Sequence, residues 1–389
     1  MNNYPGNRMT EKIRIYADRL SRGGLAEENS TLIAAASASG IVMSRKDSRT
    51  ALLEAVMREL PLLSVVLAQP AEPYRTILDF LSGEPGLQGA IPGDSRGVLF
   101  RSLPIMGEST EDAAISVLRR RRGAVVPGLG IIAAGRSDPD EALDVFYSIC
   151  FGCFVKFFSD CLRISRNGRL GRDRSAAFFR AKSFIDNPET DFPALARGPF
   201  QTGEEARAAI EEAGRLTVRY RLVDSSYGNA SYRCGGRLLI SRTGIPLDEL
   251  HGAIETCPLE EDDCPPQASR ELPAHRRIVL ETGNRAVLHG HPKFSVVLSL
   301  DHEALLAGIG GGAAEAEAIE DVPVVAGKPG GGPSGLHLTV PPALKKRRGV
   351  IVYGHGVFTA GKEDFNEAFR NMLEIERMCV DKYFNEIYR

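Results

Sequence analysis

The stretch LRRRRGAVVPGLGIIAAGRSDPDEA, starting at Leu118, aligns without gaps to LKKRRGVIVYGHGVFTAGKEDFNEA, starting at Leu344. Twelve of the 25 positions are identical, where unrelated segments of average composition would share roughly two. The match runs on into the following helical segments, with Cys153, Lys156 and Phe158 facing Cys379, Lys382 and Phe384. Upstream, IVMSR at Ile41 faces LLISR at Leu238, and Arg19-Leu20 with Asn29 faces Arg215-Leu216 with Asn229. A chain that repeats in this way is read as two copies of one folding unit of about 165 to 190 residues. The 389 residues suffice for both.

The pattern of each copy is mixed. Ile13, Tyr16 and Leu20 share one face of a helix predicted over Thr10 to Leu25. A strand-like stretch follows to Arg45, then a helix from about Ser48 to Arg58 and an apolar strand at 63–67. Another helix is expected over 111–120, a strand at 124–126, and a long apolar helix from about Pro139 to Phe158. Between the copies, 163–180 carries six arginines and reads as a polar connector, partly helical at AAFFRAKSF. The expected boundaries are a first domain over 1–165, a linker over 166–200 and a second domain over 201–389. Gly308 to Ala313, the acidic helix-like AAEAEAIED and Gly330 to Gly332 are insertions in the second copy. They lack the lysine and hydroxyl residue of a phosphate loop and read as loop.

Composition excludes several classes of function. Apolar residues make up 43% and charged residues 25%, as in a globular chain with a real core. A net charge of −2 offers no general attraction to nucleic acid or to an anionic membrane. The basic runs Arg119 to Arg122 and Lys345 to Arg348 occupy equivalent places at a helix end, where cations complement the helix dipole. No apolar run is expected to span a membrane, and the N-terminal residues lack the apolar core of a signal peptide. Seven scattered cysteines suggest reduced thiols and a cytoplasmic location. Cys150-x-x-Cys153 sits in an apolar, helical run without a second cysteine pair, which favours buried structural thiols over a redox or zinc role.

All seven histidines lie beyond residue 250. His289 and His291 close an apolar run before Pro292, so on an extended strand both imidazoles leave by one face. This spacing alone is a weak signal, since packed histidines share it. His355 stands between two glycines after a second apolar run, and Glu271 opens a segment that carries His275. Three histidines and a carboxylate can make a catalytic metal site with one position left open.

In order along the second copy come Tyr227-Gly228-Asn229-Ala230-Ser231, a strand with Thr243-Gly244, Ser269-Arg270-Glu271, the H-x-H-P strand, and G-H-G with a following G-K and an EAF helix. This series resembles the class II aldolase/adducin family over about 180 residues, nearly the whole copy. The resemblance implies an α/β fold of two tandem three-layer α/β/α domains, each around a mostly antiparallel sheet. It implies that His289, His291 and His355 hold a divalent metal, zinc before manganese, and that Glu271 is the acid/base beside it. It places a substrate phosphate at Gly228, Asn229, Thr243, Gly244, Ser269 and Arg270. Arg270 departs from the small hydroxyl residue many members carry there, and can pair with an anion instead. The implied activity is aldolase-type cleavage of a sugar phosphate or related ketose through a metal-stabilised ene-diolate. Dehydration or epimerisation at the same site, and a non-catalytic adducin-like binding role, stay open. A homo-oligomer is expected, with no nucleic-acid or membrane partner.

The first copy lacks these residues. Leu129 faces His355, Leu67 and Gln69 face His289 and His291, Thr50 faces Glu271, and the Gly-Asn turn shrinks to Glu28-Asn29. Such a copy keeps a fold and has no catalysis.

Overall fold

The computed structural model describes residues 5–84, 104–185, 192–224, 226–260, 264–308 and 317–388. The chain forms two compact units, the first running to Asp186 and the second beginning at Asn187. The first unit contains α1 (Pro5–Arg22), β1 (Leu32–Ser37), β2 (Gly40–Met43), α2 (Thr50–Glu59), β3 (Ser64–Ala68) and α3 (Tyr74–Gly83). It continues with α4 (Glu111–Arg120), β4 (Gly123–Val126), β5 (Gly130–Gly135), α5 (Glu141–Asn167) and α6 (Arg172–Lys182). The second unit contains α7 (Gly203–Arg219), β6 (Asn229–Cys234), β7 (Arg237–Ser241), β8 (Ile254–Pro258), α8 (Leu272–Thr282), β9 (Ala286–Gly290) and α9 (Lys293–Ser299). It ends with β10 (Glu317–Ile319), β11 (Val322–Val325), α10 (Leu336–Leu344), β12 (Val350–Val352), β13 (Gly356–Gly361) and α11 (Phe365–Ile387).

The first unit's sheet has the order β2-β1-β3-β5-β4, antiparallel throughout. Alternation of side chains along the strands builds its layers. Leu32, Ala34, Val65, Leu67, Ile132 and Ala134 pack with Leu53, Val56 and Leu118 of α2 and α4. Ile33, Ala35, Val66, Ile131 and Ala133 point to the opposite face, and α1 and α5 pack on the sheet from that side. α4 starts on Thr110, whose side chain accepts from Ala113 N, and ends in Arg119 and Arg120, as a helix dipole favours.

The expected linker is only partly a linker. α6 belongs to the first unit, because Phe178 and Ala181 are buried and the Phe158 and Phe178 rings lie 6.0 Å apart. Two of the connector's arginines are used in pairing, Arg174 with Glu84 and Arg180 with Glu72. Residues 192–200 belong to the second unit, where Leu195 N donates to Asn366 Oδ1 at 2.9 Å.

α5 also departs from expectation. Among the described residues it is the one helix long and apolar enough to cross a membrane, and 78% of its apolar stretch is buried inside its own unit. Burial on several sides, against β5, α3 and α6, accounts for an all-round apolar helix. Cys150 and Cys153 are among its buried residues, and burial pushes the Cys153 thiol up to about 12, where it is inert.

The second unit's sheet has the order β10-β11-β12-β13-β9-β6-β7-β8, antiparallel except between β11 and β12. One face packs with α8 and α10 through Leu238, Ile240, Val287, Val350 and Phe358. α7 and α11 pack on strands of the same sheet. α7 begins with a capping box between Thr202 and Glu205. Residues 309–316, which hold most of the first expected insertion, lie outside the described residues; Glu317–Ile319, expected as helix, pairs as a strand with β11.

The strands β7-β6-β9-β13-β12 follow the same order as β2-β1-β3-β5-β4. Registers agree residue by residue. Leu67 pairs with Ile132 as His289 pairs with Phe358, and Leu32 pairs with Leu67 as Asn229 pairs with His289. Two details of the sequence alignment therefore change. Leu32, not Asn29, holds the strand position of Asn229, and Arg49, not Thr50, holds the helix N-cap position of Glu271. Both shifts come from loops of unequal length, which sequence identity alone does not count.

Candidate metal centre

β9 and β13 bring the three expected histidines together. His289 is inside the ladder, paired with Phe358 on one side and Asn229 on the other. Its ring stacks on Phe358 with centroids 4.1 Å apart, and its Nδ1 donates to Val357 O at 3.0 Å. That bond assigns the tautomer and leaves the Nε2 lone pair facing inward. His291 lies just past the strand end, and its ring is 5.6 Å from that of Tyr227. His355 sits in the turn between β12 and β13, where the positive φ of Gly354 (60°) lets the chain reverse.

The Nε2 atoms of His289 and His291 are 3.1 Å apart, and those of His289 and His355 are 3.2 Å apart. Nitrogens bound at about 2.0–2.1 Å around a tetrahedral zinc would stand about 3.3 Å from one another. All three residues are buried, and the three donor atoms lie within 4.8 Å of one another. The group can therefore hold a metal ion, and the convergence of imidazole lone pairs suits one.

Glu271 completes the cluster. Its Oε1 is 3.0 Å from His355 Nε2, and its Oε2 is 3.3 Å from His289 Nε2. Asn229 Nδ2 donates to Oε2 at 2.7 Å. Burial pushes this carboxyl up, but the His289 and His355 imidazoles and the Asn229 amide outweigh burial and hold it well below the ordinary range. Glu271 is thus a carboxylate beside the ligand set. Burial pulls His289 down to about 4, against the attraction of the Glu271 carboxylate.

The residues expected at a phosphate fall into two groups. Thr243, Ser269 and Arg270 share one pair of loops: Thr243 Oγ1 accepts from Arg270 N at 3.1 Å, and Ser269 Oγ accepts from Glu271 N at 3.3 Å. Gly244 takes a φ of 79°, and Arg270 is exposed. Gly228 and Asn229 are instead packed into the centre. A Cβ on Gly228 would stand 2.9 Å from His289 O and 2.7 Å from Leu247 Cδ1. The Asn229 amide is engaged with Glu271, a role its motif did not announce. Gly330 lies beside the Arg270 backbone, so the glycine-rich segment read as plain loop borders this group. Its ends are tied, with Lys328 N donating to Ser334 O at 2.7 Å.

His275 is buried on α8 and hydrogen-bonds Ser231 Oγ through Nδ1 at 2.7 Å, outside the three-histidine group. Val357 and Phe358 beside the imidazoles were not singled out in the sequence, because each is an ordinary residue made significant by sheet register. Tyr383 is fully buried in packing with Phe294.

A buried three-histidine group that could hold a metal ion, with a carboxylate beside it, lies at the end of an antiparallel sheet flanked by helices. Residues 208–381 match the family model described as Class II Aldolase and Adducin N-terminal domain. Among solved structures, L-fuculose-1-phosphate aldolase from Thermus thermophilus is 26% identical, covering 48% of this chain and 97% of its own, with a TM-score of 0.39. YgbL, a putative aldolase/epimerase/decarboxylase from Escherichia coli, is 19% identical over 48% of this chain and 97% of its own, with a TM-score of 0.39. A sugar-phosphate aldolase from Thermotoga maritima is 19% identical over 47% of this chain and 94% of its own, with a TM-score of 0.35. No curated protein matches the chain.

Proposed function

We propose that the second unit is a metal-dependent carbon–carbon lyase of the aldolase type, acting on a sugar phosphate or a related ketose. His289, His291 and His355 hold a divalent cation, zinc before manganese, and Glu271 moves the proton. The observation that carries this reading is the convergence of three buried imidazole nitrogens, two of which stand beside the Glu271 carboxylate. The family match over 208–381 supports it.

When bound, the cation stabilises negative charge on substrate oxygens as a Lewis acid. The protein's own residues do the rest. Glu271, kept ionised, accepts a proton from a substrate hydroxyl or returns one to carbon, and Asn229 fixes which way its carboxylate faces. Thr243, Gly244, Ser269 and Arg270 receive the anionic end of the substrate, while Gly228 and Asn229 pack beside His289 and Glu271. The exposed Arg270 guanidinium offers a forked pair of donors to a phosphate.

The first unit we read as a degenerate copy of the second. The common strand order and register support this, and Leu67, Gln69, Leu129 and Arg49 at the corresponding places leave nothing to bind a metal. Its role is then structural, within a homo-oligomer in the cytoplasm.

The test begins with elemental analysis of the purified chain. One divalent metal per chain is expected, lost in His355→Ala. Absence of metal in the parent protein, or full retention in the variant, sinks the enzymatic reading and leaves a binding role. A screen of sugar phosphates then separates the chemistry. Two carbonyl fragments mark cleavage, whereas loss of water or an inverted carbinol marks the dehydratase or epimerase alternative.

A further inference from the structure

His291 follows the last residue of β9 by one position. The β9–β13 ladder ends at the Gly290–Val357 pair, so the sheet holds His289 and releases the chain one residue before His291. What comes next must fix its direction. Pro292 is the N-cap of α9, with φ −61° and ψ 132°, and the first turn of α9 follows at once.

We propose that Glu376, on α11, is the positioning residue for His291, acting through that turn; the proposal rests on the metal-site reading above. Its Oε1 accepts from Phe294 N at 2.8 Å, and its Oε2 accepts from Ser295 N at 2.9 Å and from Ser295 Oγ at 2.7 Å. Glu376 is 8% exposed. A carboxylate buried this deeply is costly unless its oxygens are fully engaged, and here all three donors come from two residues in the first turn of α9. The same short stretch is tied again by Lys293, whose Nζ meets Asp224 Oδ2 at 2.6 Å. A backbone clamped a few residues after His291, with a proline between, leaves the imidazole little freedom to swing from its partners. Burial raises the Glu376 carboxyl above its ordinary range, while the hydrogen bonds from Phe294 and Ser295 and the nearby Lys293 pull the other way.

The first unit supplies an internal comparison. In the alignment that pairs Cys153 with Cys379, Glu376 faces Cys150, a fully buried thiol. That unit also has Leu67-x-Gln69 in place of His289-x-His291. The carboxylate is present where the histidines are and absent where they are not.

The test is cobalt titration of the full-length metal-free chain, followed by its visible absorption. Glu376→Gln keeps size but gives one of the two backbone amides an NH2 instead of an acceptor. It is expected to weaken cobalt binding ~10–100-fold, as losses of outer-shell partners do, and to change the band shape of the cobalt form. Ser295→Ala removes one donor without burying a new group, and is expected to give a smaller change of the same kind with far-UV circular dichroism intact. Failure of the parent chain to bind cobalt overturns the metal-site reading itself. Normal binding by the parent, with Ser295→Ala and any folded Glu376→Gln unchanged in affinity and spectrum, overturns the role of Glu376 alone.

Discussion

At the scale of single residues, the buried ionisable groups around the three-histidine cluster make the second unit sensitive to acid. His275 is buried and its imidazole is pulled down to about 3 by burial. A histidine whose folded pKa lies below its unfolded value of about 6.5 keeps its full stabilising contribution above that value. The contribution is lost as pH falls from about 6.5 toward 3. At pH 5 the penalty from this one group is about 2 kcal/mol, from 1.36 kcal/mol per pKa unit over about 1.5 units. The first unit shows how to remove it, since Ala34 and Leu53 occupy the positions of Ser231 and His275. The double variant Ser231→Ala, His275→Leu is expected to flatten urea-midpoint against pH between 6.5 and 4. An unchanged pH slope in that variant would falsify the assignment.

At the scale of elements, the metal strand tolerates almost nothing beside it. Gly228 leads into β6 against the backbone of His289, and a methyl group there meets His289 O at 2.9 Å. Gly228→Ala is expected to cost about 1–3 kcal/mol by overpacking and to lower metal content with it, measured by denaturant unfolding and elemental analysis of the same sample. Equal stability and metal content to the parent would show that the turn yields freely. This element also marks what was legible beforehand. The H-x-H-P strand, the G-H-G turn and the helix at 111–120 are local patterns, readable because strand alternation and helix capping act over a few residues. The hydrogen bond from Asn229 to Glu271 and that from Ser295 to Glu376 join residues 42 and 81 apart in sequence. Only the packed sheet brings them together, so no spacing announces them. The displacement of Thr50 by Arg49 has the same origin, because loop lengths are set by how helices seat on the sheet. α10 carries Pro341 and Pro342 inside a helix, against ordinary propensity, so local pattern gives no warning of it.

At the scale of the molecule, the two sheets share five strands in one order and differ in what their equivalent positions bury. Leu32 and Leu67 are fully buried apolar side chains where the second unit buries Asn229 and His289. An oily residue contributes to cohesion whatever is dissolved around it, whereas an imidazole cluster contributes only when its cation is present. Metal binding to the native form alone adds about 4 kcal/mol at a thousandfold excess over the dissociation constant. In a calorimeter the chain should therefore show two heat-absorption peaks. A chelator should move one of them downward and leave the other where it was, while a single peak that shifts as a whole would mean the units melt together. The leucines thus make one half of the chain indifferent to metal supply. On the proposed metal-site reading, metal starvation should lower the second melting transition while half of the fold stands.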